Sequence, residues 1–221
     1  MKLKYTAVLI ATAIASTSAM AGGFDGPFVQ GGLGMSRMQT KVDETWDGGG
    51  QGGKNSKTAF IGQIAAGYSK SFDKFNLAGS LYMRSNQKSG DVVMYDDAPY
   101  WDRIRVKTKN TWGFTVEPGY NINPNALVYG KLGLSQTKGR MNYDYFIDGN
   151  LDLSEPTTSK THTGFSYGMG FKYKFTPTIY GMAEMMQTDY RRKAYIDTDY
   201  GWAVKAKPST FTALVGLGYK F

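Results

Sequence analysis

Hydrophobic and polar residues alternate with a period of two along most of the chain after residue 26. This spacing predicts β-strands, because successive side chains of a strand point to opposite faces. Phe75–Arg84 shows it most clearly, with an apolar residue or glycine at every odd position. We predict eight strands, over residues 27–40, 58–70, 74–85, 105–120, 126–137, 162–175, 179–189 and 209–221. A tilted strand needs about 9–11 residues to cross a bilayer, and each segment is close to that length.

The connections between the predicted strands alternate between short and long. Short turns are predicted at 71–73, 121–125 and 176–178, and long loops at 41–57, 86–104, 138–161 and 190–208. Short turns on one side and long loops on the other are typical of outer-membrane barrels. The sequence therefore predicts an all-β fold, an eight-stranded antiparallel up-and-down transmembrane β-barrel with four long outer loops and three short periplasmic turns.

A soluble lipocalin-like barrel is the alternative fold for such a pattern, and its apolar face would point inward to a ligand. Here the glycine-rich polar face has to fill a narrow lumen, and the opposite face carries large aromatic residues at the strand ends. Both features favour the membrane barrel, whose interior is polar and whose outer face carries aromatic girdles.

The first 21 residues have the features of a secretory signal peptide. Lys2 and Lys4 precede an apolar stretch at 6–15, and Ala19-Met20-Ala21 is a small-residue cleavage site. The apolar stretch is too short for a membrane anchor, which needs about 18 residues. We predict a signal peptide at 1–21, a barrel domain at 22–221 and an integral outer-membrane location.

Composition excludes several kinds of site. The chain has no Cys and one His, which excludes disulfides, thiol nucleophiles and multi-histidine metal centres. No cofactor or metal is predicted. The formal net charge of +8 would suit nucleic acid, but export argues against that partner.

Four segments resemble the opacity-protein, OmpX and OmpA-transmembrane-domain type of eight-stranded, porin-like outer-membrane barrels. They are Gly26-Pro27-Phe28-Val29-Gln30-Gly31-Gly32-Leu33-Gly34, Tyr129-Gly130-Lys131-Leu132-Gly133, Tyr167-Gly168-Met169-Gly170-Phe171-Lys172-Tyr173 and Val215-Gly216-Leu217-Gly218-Tyr219-Lys220-Phe221. The resemblance implies a Gram-negative outer membrane, and it implies that Phe221 is the terminal aromatic recognised by the barrel-assembly machinery. Members of this family include adhesins, surface antigens and anchors, so function does not follow from the fold.

Charged residues fall on the inward face of four predicted wall strands: Glu117, Lys131, Lys172 and Glu184. Folding the fourth strand onto the fifth about Asn123 would put Glu117 nearly opposite Tyr129, with Lys131 as its diagonal neighbour. Lys172 and Glu184 would stand in a similar relation. Since buried charges have to be paired, we predict an ion-pair network in the lumen. It is either a structural plug or a narrow gate for ions and small solutes.

Basic residues cluster at the outer ends of the predicted strands: Arg37, Arg84, Arg105, Lys107 and Lys109. At that height they could bind the phosphates of lipopolysaccharide among the outer-membrane lipids. An ordinary solvated rim is the alternative.

The predicted outer loops are rich in aromatic residues, of which Trp46, Tyr100, Trp101 and Trp202 are candidates for recognition of a host or other extracellular macromolecule. Packing between loops, or an interfacial girdle, would explain the same composition.

Three functions remain open at this point. The leading hypothesis is a non-enzymatic surface protein or adhesin that uses its barrel as an anchor, and a small porin-like channel is second. A lipid-A-modifying enzyme is the third. His162 is the only candidate base for it, and Ser166 lies four residues further on rather than in a His-x-Ser pair.

Overall fold

The computed structural model describes residues 23–85, 87–97, 100–147, 150–197 and 203–221, so the predicted signal peptide at 1–21 lies outside the described residues. The described chain is almost entirely β-structure, and no helix within these ranges could span a membrane. The strands are β1 (Gly26–Trp46), β2 (Gly49–Phe72), β3 (Phe75–Arg84), β4 (Gln87–Asp97), β5 (Tyr100–Asn123), β6 (Ala126–Ile147), β7 (Asn150–Lys174), β8 (Ile179–Tyr190), β9 (Lys193–Asp197) and β10 (Ala203–Lys220).

Eight of these strands form a closed antiparallel ring. Its order is β1-β2-β3-β5-β6-β7-β8-β10, and β10 pairs with β1 from Phe28↔Lys220 to Thr45↔Ala203. β4 and β9 lie outside the ring path and extend the outer side by pairing with β5 and β10. The eight-stranded up-and-down barrel is therefore confirmed.

The prediction of long outer loops is wrong in one respect, because most of those residues continue the strands. β1 and β2 stay paired as far as Trp46↔Gly49, and only Asp47 and Gly48 connect them. Gly48 takes a positive φ of 86°, which a glycine adopts without a steric penalty. Period-two hydrophobicity disappears in these extensions because polar headgroups and water replace acyl chains on the outer face, so the sequence pattern no longer reports the strand.

The two faces of the wall differ as a bilayer requires. Large apolar side chains such as Met35, Phe60 and Leu81 project outward from the barrel. The outward residues at the short-turn end are largely aromatic, and Phe75 and Tyr120 meet edge to face with ring centroids 5.8 Å apart. This belt with an aromatic girdle is the outer surface that lipid contact demands.

Several inward tyrosines lie over a glycine on the neighbouring strand. The register places Tyr129 opposite Gly170 and Tyr180 opposite Gly218. A Cβ atom on Gly170 would collide with the Tyr129 ring, and one on Gly218 would collide with the Tyr180 ring. The glycines of the inward face thus provide the width that large rings need inside an eight-stranded barrel.

The segment before β1 folds into the short-turn end of the lumen. Phe24 is buried and packs edge to face on Tyr180, with centroids 5.9 Å apart. Asp25 Oδ1 accepts a hydrogen bond of 2.6 Å from the Ser71 backbone N–H, and Lys174 Nζ donates to the Gly23 carbonyl. These contacts hold Phe24 beneath the lumen side chains.

Candidate functional site

The four inward charges meet in one cluster at the level of the membrane belt. Lys131 Nζ lies 2.8 Å from Glu184 Oε2 and 3.3 Å from Glu117 Oε1. Lys172 Nζ lies 3.2 Å from Glu117 Oε2. All four side chains are at most 4% exposed. The cluster holds two carboxylates and two ammonium groups, so its formal charge is balanced.

The predicted contact between Glu117 and Lys131 is present, but the predicted pairing of Lys172 with Glu184 is wrong. Lys172 is a diagonal neighbour of Glu184 in the register, but its ion-pair contact among the described residues is Glu117. Glu117 is level with Lys131, because Val116 opposes Leu132 and Gly119 opposes Tyr129. The turn lies at Pro124 and Asn125, and β5 has a bulge between Asn121 and Asn123, just before the turn. The register therefore differs from the one that a fold about Asn123 would give, in which Glu117 nearly opposes Tyr129.

Neutral groups complete the coordination of the carboxylates, and sequence reasoning missed them. Tyr129 Oη donates to Glu184 Oε1 at 2.6 Å, and Gln30 Nε2 donates to the same oxygen at 3.1 Å. Ser80 Oγ donates to Glu117 Oε1 at 2.8 Å. These neutral groups point inward by the same alternation that identified the charged residues, so the sequence pattern could have identified them as well.

Lys172 is surrounded by aromatic rings as well as by its carboxylate. Its Nζ lies 4.6 Å from the ring centroids of both Phe28 and Tyr129, and 5.6 Å from that of Tyr180. Such contacts stabilise an ammonium group out of water. The base of the lumen is thus filled by rings and one cation.

Above the charge cluster, hydroxyl groups form a continuous chain across the lumen. Tyr82 contacts Ser135, which contacts Ser166, and Ser166 Oγ lies 2.8 Å from Thr188 Oγ1. An interior of this size is only wide enough for side chains, and here rings, ion pairs and hydroxyls occupy it in successive layers. Chemically the arrangement is a neutral, hydrogen-bonded filling.

Arg84 belongs to this filling, so the prediction that it contacts lipopolysaccharide is wrong. Its guanidinium donates to Gln63 Oε1 through Nε at 3.2 Å and Nη2 at 3.0 Å, and it lies 5.5 Å from the Tyr82 ring centroid. The cause is the alternation of β3, which puts Arg84 on the same face as Tyr82.

His162 lies above the belt and is buried inside the outer part of the barrel. Its Nδ1 is 3.1 Å from the Arg191 carbonyl oxygen and its Nε2 is 2.6 Å from Tyr195 Oη. The Arg191 carbonyl oxygen can only accept, so Nδ1 donates to it, and Nε2 shares its hydrogen bond with the Tyr195 hydroxyl. Burial lowers the pKa of His162.

The groups that a lipid-modifying serine enzyme would need are not brought together. Ser166 is hydrogen-bonded to Ser135 and Thr188, whereas His162 is bonded to Arg191 and Tyr195. Within the described ranges, no group of three or more His, Asp or Glu side chains could hold a metal ion.

Of the remaining basic candidates, Arg37, Lys107 and Lys109 lie on or near the outer wall. Arg37 is exposed and donates to Ser56 Oγ at 3.0 Å. Lys107 is half-buried and opposes Arg140, and the exposed Lys109 opposes Lys138. The side chain of Arg105 lies outside the described residues.

The aromatic candidates are only partly described. Trp46 ends β1 at the tip of the first outer hairpin and is 43% exposed. The side chains of Tyr100 and Trp101, and the whole of Trp202, lie outside the described residues. Phe221 is at the barrel seam, where its backbone N–H donates to the Pro27 carbonyl at 3.0 Å and its ring packs edge to face on Tyr219.

Comparison with known proteins agrees with this architecture. The family model described as "Outer membrane protein beta-barrel domain" matches residues 7–221. OprG from Pseudomonas aeruginosa is 16% identical with a TM-score of 0.60, and the match covers 90% of this chain and 98% of that chain. The protease OmpT from Escherichia coli is 10% identical with a TM-score of 0.54, covering 93% and 100%.

A third similar structure is Ail, the attachment invasion locus protein of Yersinia pestis, in complex with the heparin analogue sucrose octasulfate. It is 18% identical with a TM-score of 0.42, and the match covers 87% of this chain and 99% of that chain. No curated protein sequence matches this one significantly.

Proposed function

Since the chain belongs to the outer membrane protein β-barrel family, we propose that it is a non-enzymatic surface protein that uses its barrel as an anchor and its outer hairpins for recognition. The protein is integral to the outer membrane of a Gram-negative bacterium. The partner that we propose is a host or other extracellular macromolecule.

The filled lumen is the structural feature that supports this proposal. Glu117, Lys131, Lys172 and Glu184 neutralise one another there, and each is nearly inaccessible. A barrel whose interior is filled by its own side chains presents its functional surface elsewhere. On the extracellular side, that surface consists of the strand extensions.

The extensions are long enough to act as a recognition surface. The β1–β2 hairpin runs from Arg37↔Thr58 at the edge of the apolar belt to Trp46↔Gly49 at its tip. At ~3.3 Å per residue this is about 30 Å of ribbon. An exposed indole at a hairpin tip is a typical anchor for protein contacts.

The proposal is tested by shortening hairpins in register. Deleting residues 42–53 and joining Lys41 to Lys54 through an Asn-Gly turn keeps the pairing of the wall, because Lys41 already opposes Lys54. We expect cells carrying the shortened protein to lose attachment to immobilised matrix and serum proteins, with the folded barrel retained on unheated gels. Trp46→Ala should weaken attachment in the same direction.

The matched control is Gly130→Ala, which changes the lipid-facing wall where a Cβ atom meets only ordinary contacts. If cells with all four hairpins shortened attach like wild type while the barrel stays folded, the recognition function is wrong.

A small channel is the second candidate, and the position of Lys131 favours it. Its ammonium group lies between two carboxylates, at 2.8 Å from one and 3.3 Å from the other. Exchange between these partners would rearrange the filling while Lys131 itself stays paired. Ion conductance through the folded barrel would support this function.

Two further partners follow from the wall and the seam. We propose that Lys107 and Lys109, with the basic residues opposite them, contact lipopolysaccharide phosphates, because like charges directly opposite one another are unfavourable without an anion. We also propose that Phe221 is the signal read by the barrel-assembly machinery.

A further inference from the structure

Three lysines form a row across three adjacent strands on the outer wall. Lys41 of β1 is directly opposite Lys207 of β10 and directly opposite Lys54 of β2. All three side chains are exposed. Lys41 points outward, because its neighbours Thr40 and Val42 are fully buried on the inner face. We call Lys54, Lys41 and Lys207 the lysine row.

The lysine row is unfavourable in the isolated protein. Like charges directly opposite one another on a sheet repel, and here two such pairs share the central lysine. No ion-pair partner of these lysines occurs among the described residues. Asp43, the next outward residue of β1, has its own cation in Arg192 Nη2 at 3.0 Å. A multiply charged anion would relieve the repulsion.

The height of the lysine row indicates which anion it meets. Met35 and Phe60, which oppose each other, are apolar and outward-facing, and Arg37 follows on the same face of β1. Lys41 is four residues beyond Arg37, about 13 Å along the strand and roughly 10 Å along the membrane normal for a strand tilted by about 40°. The row therefore faces sideways into the headgroup layer of the outer leaflet.

We propose that the lysine row, with Arg37 beneath it, is a binding site for the phosphorylated headgroup of lipopolysaccharide. Arg37 lies at the level of phosphates at the acyl boundary, and the lysines meet phosphates further out in the sugar region. A soluble polyanion would have to approach through the lipid headgroups, because the side chains point away from the barrel axis rather than toward the hairpin tips. The site does not depend on what the hairpins recognise.

The test measures binding to the full-length protein in detergent with the variant Lys41→Gln/Lys54→Gln/Lys207→Gln. Probes are purified lipopolysaccharide, the same lipid after phosphatase treatment, inorganic pyrophosphate and sucrose octasulfate. Each cation near an anionic lipid surface raises the binding affinity roughly fivefold. The variant lacks three such cations, so it should bind lipopolysaccharide about 100-fold more weakly than wild type does. The control Lys57→Gln/Lys70→Gln/Lys74→Gln removes the same charge from exposed lysines outside the row and should bind like wild type.

Loss of binding in the row variant but not in the control, together with weaker binding of the dephosphorylated lipid, would support the site. Wild-type affinity in the row variant, or equal affinity for the dephosphorylated lipid, would overturn it. Tight binding of pyrophosphate or sucrose octasulfate in place of the lipid would overturn it as well, because the site would then take soluble anions.

Thermal unfolding of the same proteins gives a second readout that loss of folding cannot imitate. Because the row repels itself, the row variant should melt at a higher temperature than wild type in lipid-free detergent. Lipopolysaccharide should raise the melting temperature of wild type more than that of the variant. A variant that melts lower without lipid would contradict the repulsion on which the site rests.

Discussion

Lys131→Met removes the cation that joins the two carboxylates of the lumen. Glu117 keeps Lys172 at 3.2 Å, but among the described residues Glu184 retains only the neutral donors Tyr129 and Gln30 for its carboxylate. Methionine fills most of the volume of the lysine stem, so packing changes little. The variant therefore isolates one buried and uncompensated negative charge.

The expected loss of unfolding free energy follows from the burial of Glu184, which is 4% exposed. Breaking a buried ion pair by removing one partner costs about 3–5 kcal/mol of unfolding free energy. Adding Glu184→Gln removes the orphaned charge and leaves Glu117 with Lys172 as a balanced pair. We expect the double variant to recover at least about 2 kcal/mol, within the range of coupling between contacting residues.

Urea unfolding of the barrel in lipid vesicles, followed by tryptophan fluorescence, measures these differences. Lys138→Met is the matched control, because this lysine lies on the same strand and is exposed on the outer face. It should change the free energy of unfolding by no more than about 0.5 kcal/mol. A cost below about 1 kcal/mol for Lys131→Met, or a double variant no more stable than the single one, would mean that Lys131 does not neutralise a buried Glu184 charge.

Three other changes have defined outcomes. Gly170→Ala should destabilise the barrel by about 1–3 kcal/mol, because the new Cβ atom displaces the Tyr129 ring. Gly130→Ala should be near neutral. Equal urea midpoints for the two variants would contradict this prediction. Burial lowers the pKa of His162, so the folded state binds fewer protons than the unfolded state. The outer hairpins should therefore become sensitive to protease as the pH falls below about 6.5. His162→Gln should abolish this effect. Phe221→Ala should lower the amount of folded protein in outer membranes, and an unchanged amount would exclude its role in assembly.

Alternation predicted which residues face the lumen, because a polar interior and a lipid exterior impose opposite requirements on successive positions. It placed Glu117, Lys131, Lys172 and Glu184 inside, and applied consistently it would have placed Arg84 there too. It failed beyond the membrane, where the β1–β2 hairpin continues to Trp46 with water outside.

The pairing within the lumen was less predictable, because it depends on contacts between strands that are not neighbours. Lys172 on β7 reaches Glu117 on β5 across the intervening β6, and only the curvature of the closed ring brings them together. The turn at Pro124 and Asn125, partly offset by the bulge between Asn121 and Asn123, places Gly119 rather than Glu117 opposite Tyr129, and no residue pattern indicated this register. The match of Tyr129 to Gly170 likewise required the register of β6 on β7.

We propose that the lumen is closed by its own ion pairs and that function resides on the outer hairpins. Single-channel conductance of the folded barrel in a planar bilayer distinguishes a closed lumen from a conducting one, with wild type measured beside Glu117→Gln/Glu184→Gln. The filled lumen predicts no resolvable conductance for either protein. A steady conductance in wild type that shifts in the variant would place function in the lumen and contradict the claim.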